Sequence, residues 1–488
     1  MVGIFAPVLL FFLLFFILSW WVRARSSAHF VSDYFLAGRT LKGFVLAMSL
    51  VATYGSVSSF VSGPGLAWQY GLGWVAFAAP QIITGFLVLG VLGSKLALIG
   101  RRINAVTIMD VIAARFKSNA LAALMALLML GFFTAMMTGQ FIGGAQIFSQ
   151  ATGLSYSQGL FLFGVVVLFY TTLGGFRAVA ITDTACAILM LVGMGLLAFS
   201  LIGEAGGYEA LIEKITLIDQ TQNLGLFEIT SAGDLPWTLL FSSWILVGFA
   251  TVALPQSAVR CMAYRRSDDL HIAMLVGTIV CGALMIGMTM MGFFARGVLA
   301  DADTFNGNTD AMIPFYISQH MSPWLAGLTL IGPLAATMST VSSLLISASS
   351  AIVKDLFLRF DKSQSLSSDR LARRAKACTF LLGLAALLLS LYPLDLIAWI
   401  NLFAFGGLEI TFLCPLAGGL FWARATKAGA WASIGVGLVF YLAAGLLGLN
   451  LGGWHSVVPS LAASIIAFVQ VSLLTQPEKC LGDFFPEK

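Results

Sequence analysis

Apolar residues run along this chain in blocks of about twenty, separated by short polar stretches, the pattern of helices that cross a bilayer. Such blocks are predicted at 3–22, 42–65, 72–98, 120–147, 157–175, 180–202, 236–258, 271–295, 323–351, 376–392, 396–422, 428–447 and 456–474, about thirteen crossings in all. The first block has no basic leader and no small-residue cleavage site. It ends in Trp20-Trp21-Val22-Arg23-Ala24-Arg25, an aromatic belt and a basic stop, so it reads as a retained span.

Two blocks depart from the apolar pattern. Val51 to Gly65 carries Thr53, Gly55, Ser56, Ser58, Ser59 and Ser62, then a Gly63-Pro64-Gly65 stop. The block at 236–258 ends in Ala253-Leu254-Pro255-Gln256-Ser257, where proline removes an amide donor. Backbone within hydrocarbon must satisfy its own hydrogen bonds, so a weakened helix is tolerated only against protein or a water-lined cavity. Transporters use such breaks to turn freed carbonyls and helix ends toward an ion or solute. Each weakened segment opens a set of five blocks, 42–202 and 236–422, and an odd number inverts the second set relative to the first. The expected architecture is therefore an all-α polytopic membrane domain over 1–488 with a five-plus-five inverted repeat. The helix at 3–22 and the pair at 428–474 lie outside that core.

Composition agrees: 59% of the 488 residues are hydrophobic, 10% are charged, and mean hydropathy is +0.94. The net charge of +4 does not call for a nucleic-acid partner. With the N-terminus outside, only Lys214 and Arg296 of the 26 Lys and Arg face outward, which sets the C-terminus in the cytoplasm of a plasma (bacterial inner) membrane. The acidic stretch at 204–234 reads as a solvated outward loop. The six cysteines show no Cys-x-x-Cys pair and read as inert thiols, and nothing points to an obligate protein partner.

Ionisable residues within spans are costly and mark function. Two stand out, Asp183 and Glu409, with Glu409 expected to be a hydrogen-bonded structural acid. No Lys, Arg or His is expected at mid-depth, Arg260 being placed at a span end. That excludes a Schiff-base lysine, a histidine-based membrane protease and an arginine voltage ladder. An anionic solute must then be held by helix N-termini, hydroxyls, amides or a co-bound ion. In the ninth block Ala336, Ser339, Thr340 and Ser343 share one helix face. Such a face either packs closely against another helix or offers neutral oxygens to a hard monovalent cation.

Several motifs carry a resemblance: Asp33-Tyr34-Phe35-Leu36-Ala37-Gly38-Arg39, Tyr70-Gly71-Leu72-Gly73-Trp74, Gly139-Gln140-Phe141-Ile142-Gly143-Gly144, Gly174-Gly175-Phe176-Arg177-Ala178, Ala258-Val259-Arg260-Cys261 and Met338-Ser339-Thr340. Through them the chain resembles the sodium/solute symporter family over nearly all of residues 30–425, and within it the pantothenate branch. The resemblance implies a LeuT-like fold and sodium-coupled uptake of pantothenate or another small carboxylate by alternating access. It implies a sodium site from the carbonyls of Ala52, Gly55 and Ala336 and the hydroxyls of Ser339 and Thr340, with Asp183 as a sodium exit residue. It places the solute near Tyr54, Ser58, Ser59, Gln140, Trp244 and Thr251. Proline-transporting relatives have an aspartate at the position of Tyr54, which argues against proline as cargo.

Overall fold

The computed structural model describes residues 2–22, 30–305, 307–361, 368–392, 397–449, 451–478 and 482–485. Arg23, Arg25 and Cys480 lie outside these residues, and the five described cysteines are unpaired. Among the described residues the secondary structure is helical, with one isolated bridge between Leu41 and Tyr264.

Among the described residues, eight helices are long and apolar enough to cross a membrane, or ten when each of two bent pairs counts as one span. The thirteen predicted crossings further divide the 50-residue helix Tyr156–Ala205 and include Val2–Val22 and Ser368–Leu389. A straight helix of 50 residues would measure roughly 75 Å, more than twice a hydrocarbon core. It breaks instead at Gly175 (φ 68°, ψ 177°), where any Cβ would press to 2.8 Å from the Tyr34 ring. The predicted division at 157–175 and 180–202 falls at this corner.

The first bent pair is Gly43–Tyr54 and Ser58–Tyr70, turned by 68°. Gly55 caps the first half in an extended conformation (ψ 109°), its N–H returning to Val51 O at 2.7 Å. The expected stop at Gly63-Pro64-Gly65 is corrected here, because helix continues through it. A π-helical turn at Ser58–Ser62 precedes Pro64, which stands at the start of the next α-helical stretch, Gly63–Tyr70, where a missing N–H is tolerated. The second pair, Trp237–Ala253 and Pro255–Met262, bends by 46° across extended Leu254.

The two broken spans are joined at one end of the bundle. Leu41 N–H donates to Ala263 O (3.2 Å), Arg265 N–H to Leu41 O (2.9 Å), and Gly43 N–H to Asp269 Oδ1 (2.9 Å). Around them pack Ser267–Arg296, Tyr156–Ala205 and Pro323–Ser350. The stretch at 204–234 is not a bare loop: Tyr208–Gln222 forms a helix that buries Leu211 and Ile215 against Phe293.

Candidate functional site

The break in the first span exposes backbone carbonyls directly opposite the hydroxyl face of Pro323–Ser350. Ser339 Oγ lies 2.8 Å from Ala52 O, 2.8 Å from Ala335 O and 3.1 Å from Ala336 O. Thr340 Oγ1 lies 3.2 Å from Gly55 O and 3.0 Å from Ala336 O. All of these residues are buried. Each hydroxyl has one proton to donate and meets at least two carbonyl oxygens, so acceptors outnumber protons. An oxygen-only cluster with surplus lone pairs suits a hard monovalent cation.

One helical turn from this cluster sits a buried ion pair. Arg260 Nη2 lies 3.2 Å from Asp183 Oδ2, and both side chains are fully buried. Arg260 also donates to Ser49 Oγ (3.1 Å), Gln256 O (2.6 Å), Ser343 Oγ (2.8 Å) and Thr53 Oγ1. Asp183 Oδ2 accepts from Ser49 as well, at 2.9 Å. The expectation that Arg260 marks a span end and that no cation lies inside the bundle is therefore corrected. The bend at Leu254-Pro255 swings the short Pro255–Met262 segment so that Arg260 points into the bundle. Its donors are spent on Asp183, three hydroxyls and a carbonyl.

Beside the break lies a cavity of about 610 Å³, a figure that includes open space at its mouth. Tyr54, Ser58 and Ser59, three of the six solute candidates, line it. The other three solute candidates stand elsewhere. Gln140 is buried and its Oε1 accepts the Val57 N–H at 3.0 Å, bracing the unwound backbone. Thr251 is buried and donates to Gly248 O at 2.6 Å. Trp244 is 46% exposed on the outside of the bundle. The wide π-helical turn Trp244–Gly248 presents Val247, not Trp244, to the cavity.

The cavity also takes residues that spacing alone passes over. Trp74, Phe77 and Gln81 come from the Leu72–Arg102 span, Thr289 from Ser267–Arg296, and Asn401 and Phe405 from Ile397–Phe421. Asn401 is the clearest omission. It is buried, its Oδ1 sits 3.5 Å from Gln140 Nε2, and its Nδ2 donor has no hydrogen-bond partner among the described residues. A lone amide in an otherwise apolar stretch, or a glutamine directly after Pro80, was a signal available in the sequence. The ring of Phe405 stacks on Tyr54 with centroids 6.3 Å apart, closing one side of the cavity.

Glu409, one turn beyond Phe405, is fully buried, and neither of its carboxyl oxygens has a hydrogen-bond partner among the described residues. The expected hydrogen-bonded structural acid is corrected: the helices packed against it supply no donor.

Broken helices, a buried oxygen cluster and an adjoining cavity define a multi-pass membrane transporter with a LeuT-like core. The Sodium:solute symporter family profile matches residues 34–437, and the chain belongs to that family. It is 40% identical over 449 residues to the sodium/pantothenate symporter of Escherichia coli, covering 92% of this chain and 91% of that one. The same identity over 445 residues relates it to the sodium/pantothenate symporter of Haemophilus influenzae, covering 91% and 90%. A solved sodium-coupled sialic acid symporter, in a substrate-bound outward-open state, superposes with a TM-score of 0.83 over 98% of this chain and 99% of that one. At 20% identity that likeness shows the fold alone.

Proposed function

We infer that this protein is a secondary active transporter that couples sodium entry to uptake of pantothenate. The observation that carries the reading is 40% identity, across nine-tenths of the chain, to two sodium/pantothenate symporters. The oxygen cluster at the break gives it a physical basis. In this reading sodium lies among the carbonyls of Ala52, Gly55 and Ala336 and the hydroxyls of Ser339 and Thr340, tying the broken span to Pro323–Ser350. Binding there stabilises one of two arrangements of the bundle, so sodium and solute favour each other. Asp183, held by Arg260 one turn further on, receives sodium as it leaves toward the cytoplasm.

Solute is held by Tyr54, Ser58 and Ser59, to which Asn401, Gln81 and Thr289 are added on the strength of the cavity. Hydroxyls and amides match a molecule with a carboxylate, an amide and two hydroxyls, as pantothenate is. Gln140 and Thr251 support the breaks from behind. Arg260 is already engaged, so the solute carboxylate meets no free cation, which makes its binding depend on sodium.

The distribution of Lys and Arg sets the N-terminus outside and the C-terminus in the cytoplasm of a bacterial inner membrane. The joined Leu41–Tyr264 end then faces the cytoplasm, and the cavity beside Trp74 and Ala398 lies toward the outside. Both sites open to alternate sides as one helix bundle rocks against the rest. Uptake of labelled pantothenate into proteoliposomes, with and without an inward sodium gradient, tests the reading. Gradient-driven accumulation supports it. Sodium-driven accumulation of another small monocarboxylate in preference to pantothenate would replace the cargo but keep the coupling.

A further inference from the structure

Glu409 is a buried acid that the sodium and solute sites leave unused. Its position is specific: Ala398, Leu402 and Phe405, which line the cavity, recur at intervals of four, three and four residues ending at Glu409. They share one face of the Ile397–Phe412 helix, so Glu409 continues the cavity-lining stripe one turn past its floor. The floor itself is the Tyr54–Phe405 stack.

Among the described residues, nothing in its surroundings compensates a negative charge. The helices packed most closely on Ile397–Phe412 are Asn119–Thr152, Lys427–Leu446 and Val457–Leu474, with the segments at Ser58–Ser62, Trp244–Gly248 and Phe249–Ala253. Their ionisable side chains are Lys427, exposed at the start of its helix, and Tyr441. Cys414 follows on the same span, and Tyr54 stands across the floor. The two tyrosine hydroxyls are committed elsewhere, Tyr54 to Val247 O at 2.9 Å and Tyr441 to Phe403 O at 3.0 Å. An ionised carboxylate left without donor or cation in such an interior costs several kcal/mol. A sodium ion would need several oxygens around it. No cluster of metal-ligating side chains occurs among the described residues. A proton needs one oxygen only.

We propose that Glu409 is a proton-binding site at the cytoplasmic floor of the transport cavity, filled in this conformation and emptied when the floor opens. Passage of a solute between Tyr54 and Phe405 admits water to Glu409, and in water the carboxylate is tolerated. Restoring the closed floor requires the proton to return to a carboxyl oxygen. Turnover therefore slows as protons become scarce.

The test uses the full-length protein in proteoliposomes at a fixed sodium gradient, with labelled pantothenate followed from mildly acidic to alkaline pH. Because this arm rests on the transport reading, infrared difference spectroscopy of the purified protein supplies one that does not. The wild type should lose uptake in the alkaline limb by about tenfold per pH unit once past its titration point. Glu409→Gln, a neutral isostere, should transport with a flat profile. In the infrared, the wild type at neutral pH should show the carbonyl stretch of a protonated carboxyl that Glu409→Gln lacks. Should Glu409→Gln fail to fold, Glu409→Met serves the infrared comparison. Identical pH profiles in wild type and Glu409→Gln, or no carboxyl band that depends on residue 409, would overturn the proposal. A missing pantothenate uptake with the band present would instead overturn the cargo and leave the proton site standing.

Discussion

Asp183 and Glu409 are both fully buried acids inside the same bundle, yet their surroundings are opposite. Asp183 Oδ2 gathers Arg260, Ser49 and Ser343 at 3.2, 2.9 and 3.3 Å. Glu409 gathers no hydrogen-bond partner among the described residues. The first acid sits where a bent span, Pro255–Met262, returns toward the break in the other, so backbone irregularity brings polar groups together. The second sits on a continuous helix among apolar neighbours. A buried charge persists when its partners come from broken helices; without them it must be carried as a neutral acid.

The largest effect should come from breaking the paired acid. Arg260→Ala removes five donor contacts and leaves Asp183 as a buried carboxylate without a cation. Losing one partner of a buried pair costs about 3–5 kcal/mol. Thermal unfolding in detergent should shift down sharply, and Asp183→Asn added to Arg260→Ala should recover part of the loss. Glu409→Gln, by contrast, should leave the unfolding temperature close to that of the wild type. Equal destabilisation by Arg260→Ala and Glu409→Gln would erase the distinction between the two acids.

Next in size is the oxygen cluster one turn from Asp183, the proposed sodium site. Ser339→Ala or Thr340→Ala removes one oxygen of the set while keeping a small packing residue. A loss of about 1.4 kcal/mol corresponds to a tenfold rise in the sodium concentration giving half-maximal uptake. Protein abundance in the membrane should stay near wild type. Unchanged sodium dependence in both variants removes the hydroxyls from the site and leaves only helix packing as their role.

A loss of similar size is expected at the brace. Gln140→Leu leaves the Val57 N–H without its acceptor, and an unmet buried donor costs about 1–3 kcal/mol. Since Val57 adjoins Ser58 and Ser59, solute affinity should fall more than sodium affinity. Calorimetric titration with pantothenate at saturating sodium would measure it. A change confined to sodium affinity would move Gln140 from the cavity side of the break to the ion side.

Much of this was legible in the sequence because the signals are local. Runs of apolar residues gave the positions of the helices, and Gly55 and Leu254-Pro255 marked the true breaks. The three- and four-residue spacing of Ala336, Ser339, Thr340 and Ser343 singled out the hydroxyl face. The resemblance to the symporter family then paired that face with the first break. What stayed hidden depends on direction in space. Whether Pro64 stops a helix or starts its next stretch turns on a π-helical bulge that no residue type announces. Whether Arg260 ends a span or enters the bundle depends on a 46° bend. The fate of Glu409 depends on which helices surround it, and their lack of donors is visible only once they are packed.

The smallest expected effect separates cavity from lipid face on a single span. Trp244 and Val247 lie three residues apart, but only Val247 lines the cavity, while Trp244 is 46% exposed. Trp244→Leu keeps an apolar side chain on the outer surface, so solute affinity should change by less than about 0.5 kcal/mol. Asn401→Ala on the neighbouring span provides the contrast, because its unpartnered Nδ2 faces solute in the proposed site and its loss should weaken binding severalfold. Both variants would be titrated with pantothenate at the same sodium concentration. A Trp244→Leu loss as large as that of Asn401→Ala would mean the Trp244–Gly248 turn rotates during transport, bringing Trp244 to the solute in a conformation other than this one.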